Sequence, residues 1–270
     1  MRILTWNINS VRLRMPSLAQ LAVQENPDVI CLQETKTPDE HFPLSAIQDA
    51  GYPHVFFKGM KGYNGVAILS KYPLVNTDVY QRCGKDDCRH ISAAIQVNGL
   101  DQPVEIHNLY IPAGGYEPDP IGNEKFQHKL DFVDELSDWF SKKRDNNTPM
   151  VAVGDMNIAP LENDVWSHKQ MVNVVSHTPV EIEKFVNFQK SVDWVDAVRT
   201  FVPEEEKLYS WWSYRSPNWE KSDRGRRLDH MWVTQPLKET LSGQKILKEV
   251  RGWERPSDHA PVSLDLKLTI

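Results

Sequence analysis

Four short segments carry the residues best suited to chemistry, and each follows an apolar, strand-like stretch. Trp6-Asn7-Ile8-Asn9 offers two amides on one side of an extended chain, because side chains alternate along a strand. Such amides can bond a phosphate, support a metal ligand, or satisfy a turn. Leu32-Gln33-Glu34-Thr35-Lys36 puts a carboxylate directly after apolar residues 29–32. Glu34 there suits a hard cation such as Mg²⁺, which prefers oxygen ligands; a helix cap or surface salt bridge is the plainer role. Gly154-Asp155-Met156-Asn157 closes a buried strand with an Asp and an Asn pointing the same way. Asp155 can orient or deprotonate a water, and Asn157 can hold a scissile phosphate. In Pro256-Ser257-Asp258-His259-Ala260-Pro261, an acid and an imidazole stand between prolines. His259 can bond a phosphoryl oxygen as a cation or move a proton, and a carboxylate on its other nitrogen would fix its orientation. Asp229, in Leu228-Asp229-His230, is the best partner for it.

The elements that must position these groups alternate between strand and helix. Strands are expected over 2–9, 28–33, 54–58, 65–70, 91–97 and 104–111, with helices over 16–25 and 43–50. The second half repeats the theme. Helices are expected over 124–143, 181–191 and 194–199, and strands over 150–154, 209–214, 227–234, 244–250 and 261–268. This order is not a strict βαβαβα, so two packed sheets flanked by helices fit better than a simple doubly wound sheet or a barrel. In open α/β sheets, sites gather at strand ends, where all four segments lie. No repeat, low-complexity tract or linker divides the chain, which reads as a single domain over 1–270.

Hydrophobic residues make up 40% of the 270 and charged residues 25%, the balance of an ordinary globular protein with a sizeable core. No run approaches the ~20 apolar residues that span a bilayer. The opening Met1-Arg2-Ile3-Leu4-Thr5-Trp6 lacks the pattern of a signal peptide, so a cytoplasmic location with no membrane partner is expected. Of three cysteines, Cys31 sits in an apolar run, while Cys83 and Cys88 lie in a charged stretch without further cysteines to complete a zinc site. They read as reduced structural cysteines. The net charge of −6 runs against the basic excess usual in DNA binders, but clustered metal-binding carboxylates would lower the total, and only the local field matters. Residues 142–144, 224–227, Lys58 and Lys61 are the candidate basic contacts. Tyr209-Ser-Trp211-Trp212-Ser-Tyr214 offers faces that can stack on a sugar or base, or can simply fill a sheet core. Trp211 and Trp212 must face opposite ways, so one is expected to line a pocket and the other to pack inside.

Together these segments make the chain resemble the exonuclease III and apurinic endonuclease family, within the larger fold that includes deoxyribonuclease I. The resemblance covers essentially the whole chain. It rests on Leu32-Gln-Glu-Thr-Lys36, Gly65-Val-Ala-Ile68, Tyr110-Ile-Pro112, Gly154-Asp-Met-Asn157, the 209–214 segment, Arg227-Leu-Asp229 and Ser257-Asp-His259, in that order. It implies a four-layered α/β sandwich of two packed mixed sheets flanked by helices. It implies Glu34 as the principal magnesium ligand with Asn7, Asn9 and Asp258 nearby, and Mn²⁺ able to substitute. Asp155 would position the attacking water, Asn157 and Tyr110 would stand beside the phosphate, and His259 would pair with Asp229. The implied activity is that of a DNA repair nuclease: a 3′–5′ exonuclease and 3′-end-trimming phosphodiesterase or phosphatase. Its substrate would be double-stranded DNA with nicks, 3′-blocked ends or abasic sites, and a monomer is expected.

Two departures bear on substrate choice. Relatives that cut at abasic sites form an apolar pocket for the bare sugar; here its wall, near Leu228 and Trp211, carries the charged Arg226. Ala113 follows Tyr110-Ile-Pro112 where relatives often place an amide. In addition, His168 either overhangs the pocket and excludes a flipped sugar, or is a solvated loop residue. The first arrangement favours trimming of 3′ ends over internal cutting. Two rivals share part of the pattern. A small-molecule or lipid phosphoesterase of the same fold would keep Glu34, Asp155 and His259 but should lack Lys36 and the 209–214 segment. A non-catalytic DNA-binding module would tolerate loss of the acidic and imidazole set, which is intact.

Overall fold

A computed structural model describes residues 1–216 and 218–270. Its strands, in chain order, are β1 (Arg2–Asn7), β2 (Val29–Gln33), β3 (His54–Lys58), β4 (Val66–Ser70), β5 (Val75–Val79), β6 (His90–Ile95), β7 (Val104–Tyr110), β8 (Met150–Asp155), β9 (Val195–Asp196), β10 (Trp211–Trp212), β11 (Gly225–Arg226), β12 (Asp229–Val233), β13 (Leu241–Ile246) and β14 (Val262–Leu266). The longer helices are α1 (Met15–Glu25), α2 (Leu44–Asp49), α3 (Glu124–Lys143) and, after the single turn α4 (His168–Met171), α5 (Pro179–Lys190).

Eight of these strands, β1, β2, β4, β6, β7, β8, β12 and β14, are buried along nearly their whole length, as their apolar residues require. They form two six-stranded mixed sheets, ordered β13-β14-β1-β2-β4-β3 and β5-β6-β7-β8-β12-β9. Each sheet holds one parallel pair at its centre, β1 with β2 and β7 with β8. Ile3, Val29, Cys31 and Ile68 of one sheet pack against Ile91, Ile106, Val153 and Met231 of the other. The opposite faces take the helices. Leu4, Trp6 and Ile30 meet Leu18 and Leu21 of α1 and Ile47 of α2, while Ala152 and Trp232 meet Phe132 and Phe140 of α3 and Phe188 of α5. Each such buried side chain contributes about 1.5–3 kcal/mol. The layers therefore run helix, sheet, sheet, helix, as expected. No helix among the described residues is long and apolar enough to cross a membrane.

Several elements differ from the sequence reading. Residues 194–199 are not helical: Asp193 has φ of +51°, and Val195–Asp196 pairs as an edge strand with β12. Strand β5 was not foreseen, because all five residues are exposed at the sheet edge and carry no apolar alternation. The 244–250 strand shifts to 241–246 and is followed by a 3₁₀ turn, Lys248–Gly252. The 209–214 segment is extended but pairs in a sheet only at Trp211–Trp212.

The topology delivers the site. The C-terminal ends of both parallel pairs, and the starts of β12 and β14, lie at one end of the sandwich. Registers align Asn7 with Gln33, Tyr110 with Asp155, and Asp229 with Asp155. A buried polar bridge locks the sheets together just beneath: Gln33 Nε2 donates to Asn108 Oδ1 at 2.6 Å, and Asn108 Nδ2 donates to Leu32 O at 3.0 Å. Gly154 is needed at the same level. A side chain there would meet Leu109 O at 1.9 Å and break the alignment that puts Asp155 beside Tyr110.

Candidate active site

The structure gathers ten of the thirteen expected site residues directly around one cleft. Asn7 Nδ2 donates to Asp155 Oδ2 at 2.8 Å and to Glu34 Oε1 at 3.0 Å. Tyr110 OH donates to the same Glu34 oxygen at 2.7 Å. Asn9 Nδ2 reaches Asp258 Oδ1 at 3.2 Å, and Trp211 Nε1 donates to Asp258 Oδ2 at 2.9 Å. His259 Nδ1 faces Asp229 Oδ2 at 2.8 Å, while its Nε2 stands 3.7 Å from Asp155 Oδ2, too far for a hydrogen bond. Asn157 donates its backbone N–H to Asp155 Oδ1 at 3.1 Å and its Nδ2 to Ile111 O at 2.9 Å.

The local backbone differs from a simple strand extension. β1 ends at Asn7, and Asn9 turns back with φ of +48°. Glu34 has φ of +52°, Lys36 +52° and Asn157 +53°. Left-handed conformations at four site residues are held by surrounding bonds, a pattern that collects at functional sites. Asn7 and Asn9 therefore reach the same cleft through a turn rather than through strand alternation.

Of the remaining three residues, only Arg226 touches a group of the cleft. Arg226 stacks over the Trp211 ring at 5.1 Å and donates to Val175 O at 3.1 Å and Ser176 Oγ at 3.0 Å. Leu228 is buried, and its carbonyl accepts from Met156 N at 2.8 Å. His168 begins α4 and bonds His177 at 2.8 Å, whose other ring nitrogen lies 2.6 Å from Ala159 O. A carbonyl can only accept, so His177 donates through Nδ1 and accepts at Nε2 from His168 Nδ1–H. His168 is thus pinned to the loop that follows Asn157, with its Nε2 facing outward. Trp212 is 2% exposed and packs with Tyr209 and Ala260, so Trp211 is the one turned to the cleft.

The groups have unlike electrostatics. Burial acts to lower the His259 imidazole, but the Asp229 and Asp155 carboxylates outweigh it and raise its pKa to about 10. His259 is therefore a cation at neutral pH, with Nε2–H free to donate. Burial, aided by Asp229 and opposed by His259, pushes Asp155 up to about 7. Burial also works against ionisation of Glu34, yet Lys36, Asn7 and Tyr110 hold it below the usual carboxylate range. Burial and the Glu34 charge push Tyr110 well above its ordinary value, so its hydroxyl stays a donor.

Asp155, Asp229 and His259 each bring one ligand atom within 4.8 Å of the others. With His259 protonated, that cluster already contains its own cation. The fit for a divalent ion is better at Glu34. Lys36 Nζ lies 2.5 Å from Glu34 Oε2 and 2.6 Å from Asn9 Oδ1, so a positive charge already sits among oxygen donors there, with Asp258 just beyond Asn9. Carboxylate and amide oxygens of this kind suit a hard cation.

Some contributors were not singled out from the sequence. Ser210 Oγ donates to Asp229 Oδ2 at 2.6 Å and accepts from Asp229 N at 3.0 Å. Ser257 Oγ donates to Asn7 O at 2.7 Å and accepts from His259 N at 3.2 Å, tying β1 to the His259 segment. Arg14, nearly buried, donates to Pro256 O at 2.9 Å and Tyr214 OH at 3.0 Å. Its place in a turn before α1 gave no sequence signal.

Comparison with known proteins points the same way. Residues 4–259 match the model of the Endonuclease/Exonuclease/phosphatase family. The chain is 32% identical to exodeoxyribonuclease III of Haemophilus influenzae, over 99% of this chain and 100% of that protein. An AP endonuclease structure from Archaeoglobus fulgidus superposes with a TM-score of 0.90 at 31% identity, covering 98% of this chain and 99% of that one. The 3′ phosphatase NExo from Neisseria, bound to a product DNA hairpin, superposes at 0.88 with 29% identity and the same coverage.

Proposed function

The chain belongs to the endonuclease/exonuclease/phosphatase family, and from that membership we propose that it is a DNA repair nuclease acting on 3′ ends of duplex DNA. Its reaction is hydrolysis of phosphodiesters and 3′-phosphates. The observation that carries this reading is the meeting of Glu34, Asp155 and the Asp229–His259 pair, from four separate strand ends, around one cleft.

Hydrolysis of an anionic phosphate is mainly a matter of charge and position. Glu34, Asp258 and the amides of Asn7 and Asn9 are the groups that would hold Mg²⁺, with Mn²⁺ able to substitute. When bound, such an ion would supply positive charge for the phosphate oxygens and the departing 3′-oxygen. Asp155 orients the attacking water, its carboxylate fixed by Asn7 on one oxygen and by Asn157 N–H on the other. His259 donates from Nε2 to a phosphoryl oxygen, and Asp229 keeps it charged and aligned. Asn157 supplies a further donor, contributing about 2–4 kcal/mol if it acts as an oxyanion donor does, while Tyr110 spends its single O–H on Glu34 and holds that carboxylate beside the cleft.

The rim favours end trimming. A guanidinium suits a terminal phosphate dianion, and Arg226, locked between Trp211 and the 175–176 turn, fills the wall where an abasic sugar would need an apolar pocket. His168 stands on the same tethered loop. The substrates are nicked or 3′-blocked duplexes, taken by a monomer, with abasic-site cleavage the lesser activity. Lys36 and Trp211, which bond groups of the cleft, argue against a lipid or small-molecule phosphoesterase. The test is incubation with nicked, 3′-phosphorylated and abasic duplexes, with and without EDTA. Faster release of 3′-phosphate, abolished by EDTA and restored by Mg²⁺, is expected; hydrolysis that survives EDTA, or no attack on any DNA, refutes the reading.

A further inference from the structure

A buried ion pair ties together three loops around the cleft. Lys129 of α3 and Glu181 of α5 bond each other, both with side chains wholly closed to solvent. Lys129 Nζ also donates to Asn157 O at 2.8 Å and to Ala113 O at 3.4 Å. Glu181 accepts from Ser176 N at 2.9 Å, from Thr178 N at 3.1 Å and from Thr178 Oγ1 at 2.7 Å. The ammonium thus grips the chain after Asp155 and the chain after Tyr110. The carboxylate grips the turn that bonds Arg226. Gly114, with φ of +86°, lies directly on the lysine stem: a side chain there would meet Lys129 Cδ at 2.9 Å.

Helix packing alone does not account for the pair. Two apolar residues of similar volume often hold helices together as well, without the cost of stripping water from both charges. An apolar pair cannot bond carbonyls and amides from three loops. The bond to Asn157 matters most. This residue is left-handed, its N–H is spent on Asp155, one Nδ2 hydrogen is spent on Ile111 O, and its carbonyl is spent on Lys129. One Nδ2 hydrogen is left to face the phosphate.

Resting on the hydrolase reading above, we propose that Lys129 and Glu181 are positioning residues for catalysis. Their ion pair holds the Asn157 backbone and the 113 and 176 loops so that Asn157 and Asp155 meet one phosphate.

The test compares wild type with Lys129→Met and with the paired Lys129→Met/Glu181→Gln variant, in which neither charge is left alone. Thermal unfolding, kcat and KM are measured on a 3′-phosphorylated nicked duplex with Mg²⁺. The proposal expects a folded paired variant with kcat at least tenfold lower and KM within about twofold of wild type. It is overturned if that variant folds and keeps wild-type kcat, if activity falls only with the folded fraction, or if it cannot fold, which marks the pair as structural. Inactive wild-type protein in the same assay would instead refute the hydrolase reading.

Discussion

The His259 imidazole and the Asp229 carboxylate face each other at 2.8 Å, Nδ1 to Oδ2, with both side chains buried. Ser210 Oγ and the Asp229 backbone hold the acid in place from behind. The pairing, with Asp155 close by, keeps His259 charged to about pH 10 and points its Nε2–H into the cleft.

Asp229→Asn removes that charge and its hydrogen bond, leaving Asp155 and Asp258 to oppose burial at the imidazole. The His259 pKa then falls, so activity that needs the cation is lost at a lower pH. On the alkaline side of the kcat profile, the limb moves toward acid by at least one unit, and activity near pH 8.5 drops about tenfold or more. A limb that stays in place in this variant would show that His259 does not act as a cation.

Arg226→Ala opens the wall beside Trp211 and removes a guanidinium suited to a terminal phosphate. The ratio of abasic-site cleavage to 3′-phosphate release is expected to rise about tenfold, with more from the KM for the phosphorylated end than from kcat. Pairing the change with His168→Ala should enlarge the shift. An unchanged ratio in both variants contradicts the assignment of this rim to substrate choice.

Acid should weaken the fold through histidines buried in neutral form. Burial lowers His90 well below its ordinary value and takes His230, whose Nε2 bonds Ile158 O at 2.7 Å, to about 3. The unfolded chain protonates these rings near pH 6.5, the folded chain only far below, so unfolding takes up protons in between. Stability from these groups is complete above pH 6.5 and is lost as pH falls from there toward 3. Tm measured from pH 8 to pH 4.5 should decline steadily below 6.5; a flat or rising curve over that range contradicts the account.

Most of the fold and the chemical groups of the cleft were legible because the strands before them are buried on both faces and read as unbroken apolar runs. Val29–Gln33 and Met150–Asp155 are of this kind, and the groups that follow them need only a short turn to reach the cleft. What could not be read was carried by long-range partners. Val195–Asp196 is a strand because β12 offers an edge and Arg227 a charge at 2.6 Å, neither of which shows in the local pattern. The left-handed turns at Asn9, Glu34 and Asn157 depend on bonds from elsewhere in the chain. The Lys129–Glu181 pair did leave a trace. Lys129 falls on the apolar stripe of α3 with Phe126, Leu130 and Val133, and Thr178-Pro-Val-Glu181 reads as a capping box.

The account stands on Asp155 and His259 serving one phosphate. Its most direct measurement is single-turnover hydrolysis of a 3′-phosphorylated nicked duplex by Asp155→Asn and His259→Ala, with circular dichroism and Tm recorded on the same samples. The account predicts a rate loss of about 10²–10⁴-fold in each, the scale of a lost acid–base or oxyanion group, in proteins that remain folded. A folded variant at either position that turns over within about threefold of wild type would contradict it.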